Sequence, residues 1–208
     1  MIYLKNRKLI DVHAKTGVSS FAESFRDCKI HLGPARSLAR RPKLHQIVCM
    51  VRSPHDRLLS AWRMFYMHPA INLLEHQKKI SNLPNIEIVY DTMLNPKRYL
   101  EDPVYAFNHW CKNNHIEQFF AKDDPHFMPL YNAYSRWMTD EFKHKLVFCN
   151  RINAVYEALD IEPVYNNVGI WPWKNIRKEE FYTGEVDNLI RKHYLLDLEI
   201  YSKSTHTL

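Results

Sequence analysis

The chain has 208 residues, 46% of them hydrophobic and 25% charged, and 29 Lys and Arg against 23 Asp and Glu give a formal net charge of +6. That composition is ordinary for a globular protein and excludes a chain too polar to bury a core; the length predicts a single domain over 1–208 and gives no reason for two. The basic excess suits an anionic cofactor or acceptor, and on charge alone would also suit nucleic acid.

In chain order, Ile2–Leu4 and Leu9–Val12 flank Lys5-Asn6-Arg7-Lys8, which reads as a small hairpin or as one interrupted strand. Val18 to Asp27 reads as a helix, with Phe21 and Phe25 four apart on one face. Residues 33–45 are irregular or a short helix. "QIVCMV", 46–51, is a continuous apolar run of the kind that fits a strand buried on both faces of a parallel sheet. Ser53-Pro54 then starts a helix, Ser at the cap and Pro in the first turn, with Leu58, Leu59, Trp62, Phe65 and Tyr66 along one stripe. From Pro69 to Asn114 the pattern is mostly helical with Pro breaks, and Ile86–Tyr90 is a weak strand candidate. "LVFC", 146–149, is another buried strand, followed by a helix over 151–159. A loop from Pro163 to Trp173 leads to a last helix at about 183–200. Strand–loop–helix units in this order predict an α/β domain with a central, mainly parallel sheet of about 4–5 strands flanked by helices.

Ligands of such sheets sit beyond the carboxyl ends of the strands, and two loops lie there. In the first, "DVHAKTGVSS", a strand breaks into Lys15-Thr16-Gly17 and two serines. With 4 Gly in the chain, a glycine at position 17 is informative, because it lets backbone approach an anion closely. Free N–H groups of the following helix, the Thr16, Ser19 and Ser20 hydroxyls and the Lys15 charge can cradle a phosphate or sulfate. The plain alternative is a helix cap beside an exposed lysine. The loop is not that of the nucleoside triphosphatases, which needs a glycine four residues before Gly-Lys-Ser/Thr. In the second, "VRSPHDRLLSAW", Arg52 stands at a strand end and Ser60 two helical turns on. A guanidinium fork and a hydroxyl in those places can converge on a second phosphate. Arg57 points elsewhere, holding its loop. Two anion cradles on one sheet edge fit a nucleotide with separate 5′ and 3′ phosphates.

These residues resemble a known family. "HAKTGVSSF" is similar to the 5′-phosphosulfate loop of the sulfotransferases, and "VRSPHDRLLSAW" to their 3′-phosphate motif. "HFMPLYNAY" (126–134), "LVFCNRINAVYEAL" (146–159) and the stretch from "NNVGIWPW" to the end, with Tyr194 and Asp197 in Y-x-x-D places, continue a likeness to the carbohydrate sulfotransferases of the Golgi type and their short bacterial, phage and marine relatives. Ala14, Val18, Ser19, Ser53, Leu130 and Asn150 depart from the family pattern; the lysine, the arginine and the 3′-site serine do not.

The resemblance implies a P-loop-like three-layer fold and sulfuryl transfer from 3′-phosphoadenosine 5′-phosphosulfate (PAPS; product PAP) to a hydroxyl of a carbohydrate or other small acceptor, without a metal. It implies that Lys15 contacts the bridging oxygen and that Thr16, Gly17, Val18, Ser19, Ser20 and Phe21 form the 5′ loop. It puts Arg52 and Ser60 on the 3′ phosphate, with Lys174 and Arg177 closing over it. The base that takes the acceptor proton is expected to be His31, with His126 as its rival and His13 third.

Other constellations weigh less. Cys111 with His115, and Cys28 with His31, are each half a zinc site at most. The four cysteines read as reduced core residues. Trp137, Trp171 and Trp173 either form a wall for a sugar or pack the core. Arg36 to Lys43 is either a solvated surface or a guide for an anionic acceptor. The competing functions are a P-loop-like nucleotide-dependent kinase, short of its loop and of a magnesium carboxylate, and a nucleic-acid module, for which no motif stands. Without a signal peptide or an apolar run of about 18 residues, a cytoplasmic protein with no membrane segment is expected.

Overall fold

In this computed structural model the described residues are 1–16, 21–22, 24–64, 101–112, 125–162 and 175–208. Among them are five β-strands and six α-helices. The strands are β1 (Ile2–Lys5), β2 (Lys8–Asp11), β3 (Lys29–Ile30), β4 (Gln46–Met50) and β5 (Leu146–Cys149). The helices are α1 (Leu32–Ala39), α2 (Pro54–Trp62), α3 (Pro103–Lys112), α4 (Leu130–Tyr134), α5 (Ile152–Leu159) and α6 (Gly184–Ser202).

The first two strands form the hairpin alternative. Asn6 and Arg7 both hold positive φ, 49° and 59°. That is the twist of a two-residue hairpin turn that matches its flanking strands. The register runs from Lys5 opposite Lys8 to Ile2 opposite Asp11. β2 pairs parallel with β4, and β4 parallel with β5. β3 pairs antiparallel with β1, so the order is β3-β1-β2-β4-β5. The α/β class and the strand count agree with expectation. The sheet is mixed rather than mainly parallel, because two of its four ladders are antiparallel. The difference comes from the hairpin and from β3, whose two residues give no apolar run to read.

The chain divides into two compact units. One comprises Met1–Pro54, Met128–Pro172 and Tyr194–Leu208, and the other His55–Phe127 and Trp173–His193. The first holds the whole sheet, and period-two alternation sends its side chains to two faces. On one face Leu9, Ile47, Cys49 and Val51 meet Ala35 and Ala39 of α1, Leu130 and Tyr134 of α4, and Ile200 of α6. On the other, Tyr3, Ile10, Val48 and Met50 meet Phe21, Phe25 and the α5 residues Val155, Tyr156 and Leu159. Phe21 stacks on Phe25 at 5.0 Å and on Tyr156 at 5.5 Å. Such ring pairs contribute about 0.5–1.5 kcal/mol each beyond the area they bury.

Asp197 fixes one of these packings. It is buried, and its carboxylate accepts the Leu130 and Tyr131 N–H groups at 2.7 and 2.8 Å. It thus satisfies the opening turn of α4, whose N–H groups have no partner within the helix. Lys145 does the converse for α1, its Nζ donating to the Ala39 and Arg41 carbonyls at 3.0 and 3.1 Å.

The second unit is built on aromatic contacts. Trp62 of α2 meets Phe107 of α3 at 5.3 Å, and Phe107 meets Phe181 at 5.9 Å. Arg57 is buried here, its Nη2 donating to the Pro125 carbonyl at 3.3 Å. α6 is bent at Tyr194, where φ −126° and ψ 26° leave the helical region. No helix among the described residues is long and apolar enough to cross a membrane. The candidate strand at Ile86–Tyr90, the stripe residues Phe65 and Tyr66, and the Pro163–Trp173 loop lie outside the described residues.

Candidate functional site

The sheet register decides which candidates share an edge. Ile30, Ile2, Asp11, Cys49 and Phe148 stand side by side across the five strands. Because β3 and β2 both oppose β1, the carboxyl ends of β2, β3, β4 and β5 leave the sheet at this one row. The residues that follow are therefore His31, the Val12–Thr16 turn, Val51–Ser53 and Asn150. Adjacent strands are about 4.8 Å apart, so the start of the His31 segment lies roughly 10 Å along the edge from β2.

The ladders do not end together. β4 stays bonded to β5 past the row, the Val51 N–H donating to the Cys149 carbonyl at 2.8 Å. The β2–β4 register ends at Asp11 opposite Cys49. A gap thus opens between β2 and β4, and the two loops singled out in the sequence leave from its sides. Across it, Arg52 Nη1 donates to the Lys15 carbonyl at 3.4 Å. Both residues are half-buried.

The first loop is preorganised by its own atoms. Thr16 is buried, and its Oγ1 donates to the His13 carbonyl at 2.7 Å while accepting the His13 N–H at 3.1 Å. Its hydroxyl is thereby engaged in the turn, and a ligand would meet Thr16 through other atoms or after that bond exchanges. Lys15 takes a left-handed φ of 65°. Gly17, Val18, Ser19 and Ser20 lie outside the described residues. Phe21 is fully buried in the aromatic stack, so its ring serves the core and only its backbone can serve a ligand.

Among the base candidates, His31 is exposed and opens α1, with φ −84° and ψ 160°. His13 is half-buried, its ring edge-on to Tyr134 at 6.4 Å. His126 is half-buried and belongs to the second unit, which also holds Ser60 and Arg177. Ser60 lies half-buried near the end of α2. The Arg177 side chain is 82% exposed and 3.8 Å from Glu180, whose Oε1 also accepts the Arg177 N–H. Lys174, Trp171 and Trp173 lie outside the described residues.

Trp137 is fully buried, so it belongs to the core and not to a sugar-facing wall. Its role was not legible in the sequence. Its Nε1 donates to Asp11 Oδ2 at 2.7 Å. The same oxygen accepts Arg136 Nη2 at 2.5 Å and Nε at 3.2 Å. Asp11 is completely buried, where an acid left without such partners would be costly to hold. Three positions earlier, the Tyr134 hydroxyl approaches the Met50 carbonyl at 2.6 Å and the Asp11 carbonyl at 3.3 Å. The signal available in the sequence was Asp11 itself, a charge in an otherwise apolar run.

At the start of α2, His55 Nε2 meets Asp187 Oδ1 at 2.9 Å, and Arg191 Nε donates to Asp187 Oδ2 at 2.7 Å. The hydrogen bond from Arg191, then that from His55, hold the Asp187 carboxyl below its usual value of 3.8. Burial pushes the Cys49, Cys111 and Cys149 thiols up, which leaves them poor nucleophiles at neutral pH. All four cysteines are free. No group of three or more His, Cys, Asp or Glu side chains that could hold a metal occurs among the described residues.

No protein-family model matches the chain, and no curated protein or solved structure matches it either.

Proposed function

We propose that the chain transfers a sulfuryl group from 3′-phosphoadenosine 5′-phosphosulfate to a hydroxyl of a carbohydrate or other small acceptor, on a P-loop-like three-layer fold. The observation that carries this reading is the short reach between the two anion loops, Arg52 Nη1 to the Lys15 carbonyl at 3.4 Å. A nucleotide with phosphates at both ends needs two such loops within one ligand's length. It is supported further by the departure of both from one gap at the carboxyl edge, where α/β sheets take ligands.

In this reading the Lys15 amine neutralises charge on the leaving phosphate, and the loop through Ser20 and Phe21 supplies backbone N–H groups to the 5′ phosphate. Arg52, half-buried in the loop that follows β4, takes the 3′ phosphate. His31, on the same edge, removes the acceptor proton as the S–O bond to the acceptor forms and the bond to the phosphate breaks. His126 is the second candidate for that proton.

Thermal shift and calorimetry with adenosine 3′,5′-bisphosphate, magnesium absent, test the reading. A rise in melting temperature with this ligand, and none with ATP and magnesium, is expected. A response confined to ATP and magnesium would replace sulfuryl transfer by phosphoryl transfer, and a response confined to an oligonucleotide would replace it by nucleic-acid binding. Transfer of labelled sulfate to a panel of carbohydrates then identifies the acceptor.

A further inference from the structure

We infer that the segment Tyr134–Trp137 is a clasp that sets the spacing of the two anion loops, with Tyr134 as a positioning residue for a ligand that must reach both. The inference rests on the reading of the site as one that holds a doubly phosphorylated nucleotide.

The argument starts from the point where the sheet stops holding itself together. β4 remains laddered to β5, but beyond Asp11 and Cys49 nothing in the β2–β4 register ties those two strands. The chain leaves β2 towards Lys15 and β4 towards Arg52 from that point. A gap between two parallel strands without ladder bonds has no fixed width of its own. Three residues of one short segment reach its two sides. Tyr134 takes the β4 side. Its hydroxyl carries one proton, and the 2.6 Å approach makes the Met50 carbonyl its main acceptor, with the Asp11 carbonyl at 3.3 Å a minor share. Arg136 and Trp137 take the β2 side through Asp11 Oδ2, at 2.5 and 2.7 Å.

The clasp is stiff for identifiable reasons. Tyr134, Trp137 and Asp11 are all fully buried, so water does not compete for the Tyr134 and Trp137 bonds. The segment is the end of α4 and the 3-10 turn Ser135–Trp137, anchored at its start by the buried Asp197 cap. Met50 lies two residues before Arg52, and Asp11 four before Lys15. The first bond acts on the backbone and the second through a buried side chain, both close to the residues whose separation matters.

A brace on spacing has a consequence that mere packing lacks. A ligand with one phosphate uses one loop and is indifferent to the gap's width. A ligand with two phosphates gains its second contact only when the loops are correctly spaced. The test is calorimetric titration of wild type, Tyr134→Phe and Trp137→Phe with adenosine 3′,5′-bisphosphate and with adenosine 5′-monophosphate. Tyr134→Phe keeps the ring and removes only the hydroxyl. Wild type should prefer the bisphosphate, and Tyr134→Phe should lose about tenfold in bisphosphate affinity while 5′-monophosphate affinity stays within about twofold. Trp137→Phe, which weakens the other half of the clasp, should show the same selective loss should Tyr134→Phe prove too unstable to titrate. Equal losses for both ligands, or none, in a wild-type background that prefers the bisphosphate overturn the clasp alone. A wild type without that preference overturns the functional reading, and the clasp falls with it.

Discussion

Arg52 reaches back to the carbonyl of Lys15, Nη1 to oxygen at 3.4 Å, although the two stand 37 positions apart in the chain. The acceptor is backbone, so the contact survives replacement of the lysine side chain. Lys15→Ala should therefore keep the bond between the loops and lower sulfuryl transfer by about a hundredfold or more, the usual effect of removing one donor from a developing charge, while bisphosphate affinity, which loses one cation from its 5′ phosphate, falls far less. Single-turnover transfer of labelled sulfate, beside calorimetric titration with adenosine 3′,5′-bisphosphate, measures both. Transfer at the wild-type rate would remove Lys15 from the mechanism.

His31 follows β3 on the same sheet edge and is exposed. A base contributes to proton removal and not to nucleotide binding. His31→Ala should abolish transfer with nucleotide affinity intact, and the same change at His126 should leave transfer largely in place. The reverse pattern in rate measurements on the two variants would move the role to His126.

Asp11 is a buried acid whose Oδ2 is paired with Arg136 and Trp137, while its Oδ1 faces the N-terminal amine at 4.0 Å. Asp11→Ala strands the Trp137 N–H and leaves the Arg136 guanidinium, 27% exposed, without its carboxylate. Because water can reach part of Arg136, the cost should fall at the low end for a broken buried pair, about 3 kcal/mol. Urea unfolding would read this as a lowered midpoint. Asp11→Asn, which still offers an acceptor oxygen, should lose less.

The Asp187 carboxyl is held below 3.8 by Arg191 and His55. A depressed carboxyl contributes stability that is present above its unfolded value and lost as pH falls through its folded one. Stability should therefore drop below about pH 4, and Asp187→Asn should flatten that part of the profile, with a lower midpoint than wild type near neutrality and convergence with it at the acid end. Urea midpoints of both proteins from pH 2.5 to 6 would show it; parallel curves would mean that other carboxylates carry the acid dependence.

The sequence was most legible where burial imposes a simple pattern. The apolar runs at 46–51 and 146–149 became β4 and β5, the latter residue for residue; β4 is buried as a strand covered on both faces should be, whereas β5 is an edge strand with Leu146, Val147 and Phe148 only half-buried. The strand read as Leu9–Val12 lies one residue earlier, as Lys8–Asp11. The region left as irregular or a short helix holds α1. β3 was missed because two residues carry no period, and with it went one of the two antiparallel ladders, the other being the hairpin that the sequence offered. The clasp was missed for another reason. Asp11 finds its partners 125 and 126 positions away, and no local rule connects an aspartate in one strand with an arginine and a tryptophan beyond α4. The likeness at Asp197 marked the residue, but its bonds to the opening N–H groups of α4 came only with coordinates.

Lys15 adopts φ 65°, where a side chain crowds its own backbone and glycine does not. Selection for thermal robustness alone would have placed glycine there. Lys15→Gly should accordingly melt at a higher temperature than the parent, by a few tenths to about 1 kcal/mol of relief, while forfeiting the amine. At Lys15 a comfortable backbone and a useful cation thus pull in opposite directions.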